Sequence, residues 1–393
     1  MSVSTPPTHD VDLFSDEVMT HPYDAYRQLR AAGPAVRLTR HDTWALARYE
    51  QVRRALYDHD TFSSASGVGY EPELNKYFVG TVIASDPPEH ERLRAILSEQ
   101  MAPEAMRRLE PEIVRMAGDL VDPLMERDGP FDAITELAKV FPVSLVSDLV
   151  GLPADARDKI LEYTDASFNV FGPFNELAAR SLSLFQEAFE YMDTVMTLER
   201  LHPDGWAAQA YAAADRGEIS HEQVLPTLMA YLFAGMDTTI NGIGSSILML
   251  ARRPRAWRAL REQPSLIPGA FEEALRLESP VQALFRVTTR DVDMDGVTIP
   301  AGERVLLLFG SANRDERQWQ RPDDFDVTRN PAEHLGFGHG IHSCAGQSLA
   351  RIAGQAVLRA LSARAQRLDL TGPPGRRVNN VVRGLTSLPV KTR

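Results

Sequence analysis

The stretch FGHGIHSCAG, residues 337–346, holds the only cysteine in a chain of 393 residues, with Gly338, Gly340 and Gly346 around it and His339 and His342 just before it. One cysteine cannot close an internal disulfide, so Cys344 is a buried small apolar group, a nucleophile or a metal ligand. The glycines argue against ordinary packing, because they let backbone adopt positive φ or approach a bound group closely. A second set lies in AGMDTT, residues 234–239, where Asp237 and Thr238 place an acid beside a hydroxyl in an apolar run. Such a pair suits proton delivery inside a site that excludes water. A third, EEALR, spaces Glu273 and Arg276 one helical turn apart.

The acid–hydroxyl pair needs a helix to carry it. VLPTLMAYLFAGMDTTINGIGSSILMLARRP is apolar on every face for roughly 30 residues, about 45 Å at helical rise. A helix of this kind either spans a membrane or runs through the middle of a large fold. A lone acid at its centre, with no flanking topology signal, favours the buried soluble helix. Aspartate, two threonines and several glycines form helix poorly, and threonine hydroxyls that bond back to i−4 carbonyls bend helices. The centre is therefore either a tolerated defect or a local widening around a polar group or water.

Elsewhere, HPYDAYRQLRAAGPAVRL reads as a helix stopped at Gly33-Pro34, followed by a short strand pair around DTWALARY. Residues 88–260 are mainly helical, broken at Pro103, Pro130, Gly151 to Pro153 and Gly172-Pro173. TRDVDMDGVTIPAGERVLLLF returns to strand character, with a hairpin turn at Asp295-Gly296, and a last helix starts two residues past Cys344. No repeat or low-complexity linker interrupts the chain, so a mainly α fold with a minor β portion is expected over residues 1–393 as one domain. The net charge of −12 argues against nonspecific nucleic-acid binding. The N-terminus has no basic region followed by an apolar run, which reads against a signal peptide or membrane anchor. With no disulfide possible, the cytoplasm is the expected compartment. A Cys344–His342 nucleophile pair is disfavoured, since residues two apart on a tight loop point differently and no acyl-transfer motif accompanies them.

FGHGIHSCAG fits Phe-Gly-x-Gly-x-His-x-Cys-x-Gly in full, AGMDTT fits Ala-Gly-x-Asp-Thr, and EEALR supplies Glu-x-x-Arg ahead of PDDFDVTR. With these three in order, essentially the whole chain resembles the cytochrome P450 haem-thiolate monooxygenases. The resemblance implies haem b with Cys344 as its axial thiolate, whose electron donation favours O–O cleavage, and Phe337 packed on the sulfur side. It implies propionate contacts from His90 and Arg94 in DPPEHERLR, from Arg286 and from His342. Glu273, Arg276 and Arg329 match the family's structural ion pairs, and Asp237 and Thr238 its proton relay to bound O2. Separate electron-transfer proteins, a ferredoxin and its reductase, are implied as partners. A haem-binding sensor is the alternative of another class, although a sensor has no need of the Asp237–Thr238 pair.

SFNVFGPFNE, RLESPVQALFRVTTRDV, GSANRD and NNVVRGLTSLPVK resemble bacterial members that O-demethylate para-substituted aromatic acids such as 4-methoxybenzoate. On that resemblance Phe168 and Phe171 form an aromatic lid, and Ala234, Val281, Leu284 and Leu385 line the pocket. One departure stands out. The basic and hydroxyl cluster that receives the carboxylate in those members corresponds here to Ser66, Tyr70, Met229, Ala230 and Phe233. An unpaired buried carboxylate costs several kcal/mol, so a neutral small aromatic, such as a 4-alkylguaiacol, is the expected substrate. An aromatic acid, or hydroxylation of the alkyl chain, is the alternative.

Overall fold

The structure, a computed structural model, describes residues 6–160, 163 and 168–393. The helices that matter for the site are α1 (Tyr23–Ala32), α2 (Tyr49–Tyr57), α3 (Glu89–Gln100), α4 (Pro103–Glu126), α5 (Val140–Val150), α6 (Glu176–Val195), α7 (Trp206–Asp215), α8 (His221–Ala251), α9 (Ile267–Glu278) and α10 (Gln347–Arg364). Proline and glycine set many of these limits. Pro103 occupies the first turn of α4, where its missing N–H costs nothing, and Gly151 ends α5 in the left-handed conformation at φ 86°.

α8 is the axis of the molecule. A reciprocal Ser220–Gln223 capping box opens it, and nearly every residue from Met236 to Ala251 is buried. It packs against α5, α7, α9 and α10, which explains an apolar surface on all sides. Among the described residues, no helix is long and apolar enough to cross a membrane. The expected widening at its centre takes a milder form. The helix stays α-helical throughout, while the Thr238 and Thr239 hydroxyls donate to the Ala234 and Gly235 carbonyls at 2.7 and 2.8 Å. Packing against α5, α7, α9 and α10 holds the turn that its weak helix formers would loosen.

The β portion is small. Strands β1 (Thr8–His9), β2 (Val36–Leu38), β3 (Thr43–Leu46), β4 (Phe62–Ser63), β5 (Ala283–Thr288) and β8 (Arg304–Leu308) form a mixed sheet in the order β1-β2-β3-β8-β5-β4. β3 runs parallel to β8 with Trp44 opposite Val305, and β5 runs antiparallel to β8 with Phe285 opposite Leu306. Between β5 and β8, strands β6 (Val292–Met294) and β7 (Val297–Ile299) make the expected hairpin, with Asp295 and Gly296 both at positive φ. A C-terminal hairpin of β9 (Gly375–Arg377) and β10 (Gly384–Ser387) returns to the side of α8. The mainly α architecture with a minor β part is as the sequence predicts.

Candidate functional site

The cysteine loop is built from backbone. The Cys344 N–H donates to the Phe337 carbonyl at 2.8 Å and closes the loop. Gly338 and Gly340 sit at φ 69° and 71°, and a Cβ on Gly340 would lie 2.4 Å from the Leu56 carbonyl oxygen at the end of α2. Only glycine meets both conditions. Burial pushes the Cys344 thiol up, while a hydrogen bond from the Gly346 N–H and the charges of Arg94 and Arg351 pull it down. Gly346 is also the N-cap of α10, so the helix dipole adds to the same effect.

A cavity of about 340 Å³ separates this loop from the centre of α8, and Phe337, Cys344, Thr238 and Ala234 all face it. At one edge four basic side chains crowd together, with Asp86 the nearby carboxylate whose charge acts on Arg286 and His90. His90 stacks edge-on against His342 with ring centroids 4.4 Å apart. Both ring nitrogens of His90 and the Nε2 of His342 are buried without a hydrogen-bond partner among the described residues. Burial, with Arg286, His90 and Arg94 close by, pushes His342 down to about 2. Arg286 is pushed down to about 10 by burial, and its guanidinium donates only to its own Phe285 carbonyl among the hydrogen bonds of the described residues. Arg94 is likewise lowered by burial. Orphaned buried donors beside desolvated cations favour a negatively charged group. Two carboxylates at this edge would accept from these donors and offset the guanidinium charge, and Cys344 is placed to bind an iron, so the residues fit a haem.

Behind the loop, Glu273 and Arg276 form a fully buried pair. Arg276 Nε and Nη2 reach the carboxylate at 2.7 and 2.9 Å, and Arg329 Nε joins at 2.9 Å. The remaining Arg276 donors go to the Asn313, Pro322 and Asp324 carbonyls, tying α9 to the segment that leads into the loop. A neighbouring network is not legible in the sequence. Glu272 accepts from Arg351 Nε at 2.8 Å and pairs with His334 Nε2 at 2.9 Å. The His334 Nδ1 accepts the Gly336 N–H at 3.0 Å, so the ring proton must sit on Nε2 and point at Glu272. Arg351 lies 4.6 Å over the Phe337 ring. Burial alone would raise Glu272, yet the hydrogen bonds from His334 and Arg351 hold it at about 2. The available signal was the position of Arg351, two turns beyond Cys344 on α10.

On α8 the acid and the hydroxyl face different ways. Thr238 faces the cavity. Asp237 is buried, with Oδ2 2.8 Å from Arg377 Nη2 of β9 and Oδ1 accepting from Asn241 Nδ2 at 3.2 Å. Arg377 carries no signal in the sequence that would connect it to Asp237.

Phe168 and Phe171 both line the cavity, 6.2 Å apart between ring centroids, together with Ala234, Val281 and Leu284. Phe78, Phe185 and Phe189, which the sequence did not single out, continue the wall to Phe233. Phe78 stacks 4.5 Å from Phe171 and 5.5 Å from Phe185, which in turn lies 5.0 Å from Phe189 and 6.2 Å from Phe233. Leu385 does not line the cavity. It is buried on the other side of α8, where its Cδ1 comes within 3.9 Å of a Cβ built on Gly244. Val382, three residues earlier, packs with Phe168 and Phe171 behind the cavity wall. Ser66 and Tyr70 are also outside. Ser66 is exposed, and the Tyr70 hydroxyl donates to the His41 carbonyl at 2.8 Å within a separate aromatic cluster. Met229, Ala230 and Phe233 do line the cavity.

Comparison with known proteins agrees with this geometry. The cytochrome P450 family model matches residues 206–361. The chain is 41% identical over 399 residues to cytochrome P450 CYP199A2 of Rhodopseudomonas palustris, covering 99% of this chain and 97% of that one. It is 34% identical to the vitamin D(3) 25-hydroxylase of Pseudonocardia autotrophica, covering 99% and 98%. Its fold matches the structure of cytochrome P450 CYP109Q5 from Chondromyces apiculatus with a TM-score of 0.84 and 31% identity, over 98% of both chains. The cofactor is therefore haem, the activity is that of a monooxygenase, and the chain belongs to the cytochrome P450 family.

Proposed function

We propose that this monooxygenase O-demethylates a small neutral methoxyarene, such as a 4-alkylguaiacol. The carrying observation is the placement of charge. Among the described lining residues, Arg94 and Arg286 are the only arginines, lysines or carboxylates, and both stand at the edge fitted to the propionates. The substrate side is mostly aromatic rings and aliphatic chains with no cation among them, Phe168 and Phe171 holding the arene and Ala234, Val281 and Leu284 closing around it. A carboxylate there would be buried without a partner, at several kcal/mol.

Cys344 would bind the iron, Phe337 would cover the sulfur side, and His90, Arg94, Arg286 and His342 would hold the propionates. When bound, the haem supplies the iron at which O2 is activated. Thr238 holds a proton donor at the cavity wall, and Asp237, gripped by Arg377 and Asn241, passes protons from behind α8. In balance, the methoxyarene, O2, two electrons and two protons give water and a hemiacetal, whose C–O bond breaks to release a phenol and formaldehyde. A separate ferredoxin and its reductase supply the electrons to this cytoplasmic enzyme.

Titration of the holoenzyme with 4-propylguaiacol and with 4-methoxybenzoate, followed by the Soret shift, tests the charge argument. About tenfold or more tighter binding of the phenol is expected, which is about 1.4 kcal/mol or more. Tighter binding of the benzoate overturns it, and a hydroxylated chain without formaldehyde overturns the demethylation. Thr238→Ala should keep binding and divert electrons from product to peroxide. An unchanged ratio of product to NADH removes Thr238 from the relay.

A further inference from the structure

We infer that a second crevice, which shares no lining residue with the haem cavity, binds a small soluble phosphate. It has a volume of about 540 Å³ and lies where the ends of α8 and α9 meet the Thr20–Tyr23 segment and the β9–β10 hairpin. Five guanidiniums line it against two carboxylates, Glu278 and Asp323. Three positive charges are left over, in a chain whose net charge is −12.

The carboxylates are already spoken for. Glu278 is 3% exposed, and its Oε2 takes Arg376 Nη1 at 2.8 Å and Arg383 Nε at 3.1 Å, with Arg314 3.9 Å from Oε1. Asp323 takes Arg314 Nη1 at 2.7 Å. Arg253 lies 5.2 Å over the Phe325 ring and among the described residues hydrogen-bonds only to the Met249 carbonyl and sulfur, at 3.2 and 3.4 Å, and burial beside Arg252 lowers its pKa. Arg252 is exposed and makes no hydrogen bond or ion pair among the described residues.

The cations are also held in place. Arg314 lies 3.6 Å and Arg383 5.0 Å from the Tyr23 ring centroid, and the Tyr23 hydroxyl donates to the Leu277 carbonyl at 3.1 Å. Preset guanidinium forks lose little freedom on binding, and their paired N–H groups match the oxygens of a phosphoryl group. A monovalent ion would leave most of the excess charge unanswered. Consecutive strand residues face opposite sides, so Arg376 addresses the crevice while Arg377 holds Asp237. A bound phosphate would thus grip the strand that carries the partner of the α8 acid.

Calorimetric titration of the holoenzyme at low ionic strength, with inorganic phosphate, pyrophosphate and adenosine monophosphate, tests this against a chloride titration of matched ionic strength. One saturable equivalent is expected for at least one phosphate, weakened about tenfold or more in Arg252→Gln and in Arg376→Gln. Preference for the nucleotide over the inorganic ions would identify a phosphate ester, and the reverse a free phosphate; both support the site. Arg252→Gln alters an exposed side chain, so its result stands even if Arg376→Gln unfolds. Heats no different from chloride, or binding unchanged in Arg252→Gln, would overturn the inference.

Discussion

The two walls of the haem cavity are built on opposite plans. The cysteine side is polar backbone and buried ion pairs, drawn from residues 272–276 and 329–351, in which Glu272 and Glu273 answer the donors of His334, Arg351, Arg276 and Arg329. The substrate side is a set of rings contributed by Phe78, Phe168, Phe171, Phe185, Phe189 and Phe233, with few directional bonds among them. Hydrogen bonds and φ angles fix one wall to within tenths of an ångström. Packing fixes the other only by volume and shape. Substitutions behind the sulfur should therefore cost stability or the cofactor, whereas those among the rings should change ligand binding and leave the fold intact.

Cys344→Ser makes the largest break. Oxygen cannot replace thiolate donation, so the long-wavelength band of the reduced carbon monoxide complex should vanish along with turnover. Retention of that band at normal haem content would remove Cys344 as the ligand. Arg276→Met comes next. It removes one of the two guanidiniums that hold the Glu273 carboxylate at zero exposure, leaving Arg329 as its remaining cation, and loss of one partner of a buried pair costs about 3–5 kcal/mol. Denaturant midpoints of the holoenzyme measure it, and a loss below about 1 kcal/mol would mean that this wall is as tolerant as the other.

Glu272 gives a subtler test through pH. Its carboxyl is held at about 2 against an ordinary 4.5, so the folded state binds the proton less readily than the unfolded chain. The stabilisation is therefore fully present above pH 4.5 and is lost as pH falls towards 2, at most about 3 kcal/mol. Glu272→Gln should flatten the stability profile in that window. An equally steep profile in the variant would assign the acid sensitivity to other groups. The smallest effect belongs to the rings. Phe185→Ala should weaken binding of a methoxyarene about tenfold, or 1.4 kcal/mol, while the denaturant midpoint of the haem-bound protein moves little. A large fall in stability with unchanged affinity would make Phe185 core rather than pocket wall.

The sequence by itself determined the elements whose signals are local. A lone cysteine among glycines, an acid beside a hydroxyl in an apolar helix, and Glu273 one turn from Arg276 all lie within ten residues of one another in their own segments. The mainly α architecture and the Asp295-Gly296 turn were legible for the same reason, because caps, periodicity and φ preferences act over one or two turns. Tertiary structure alone decided which distant residues meet. Arg377 reaches Asp237 across 140 positions, and His334 reaches Glu272 across 62. Leu385 turned to the far side of α8 while Val382 joined the phenyl rings, because side chains a few residues apart in a short hairpin can face different layers. A phenylalanine reads as apolar wherever it stands. Whether it closes a core or walls a cavity depends on what the rest of the chain places opposite it.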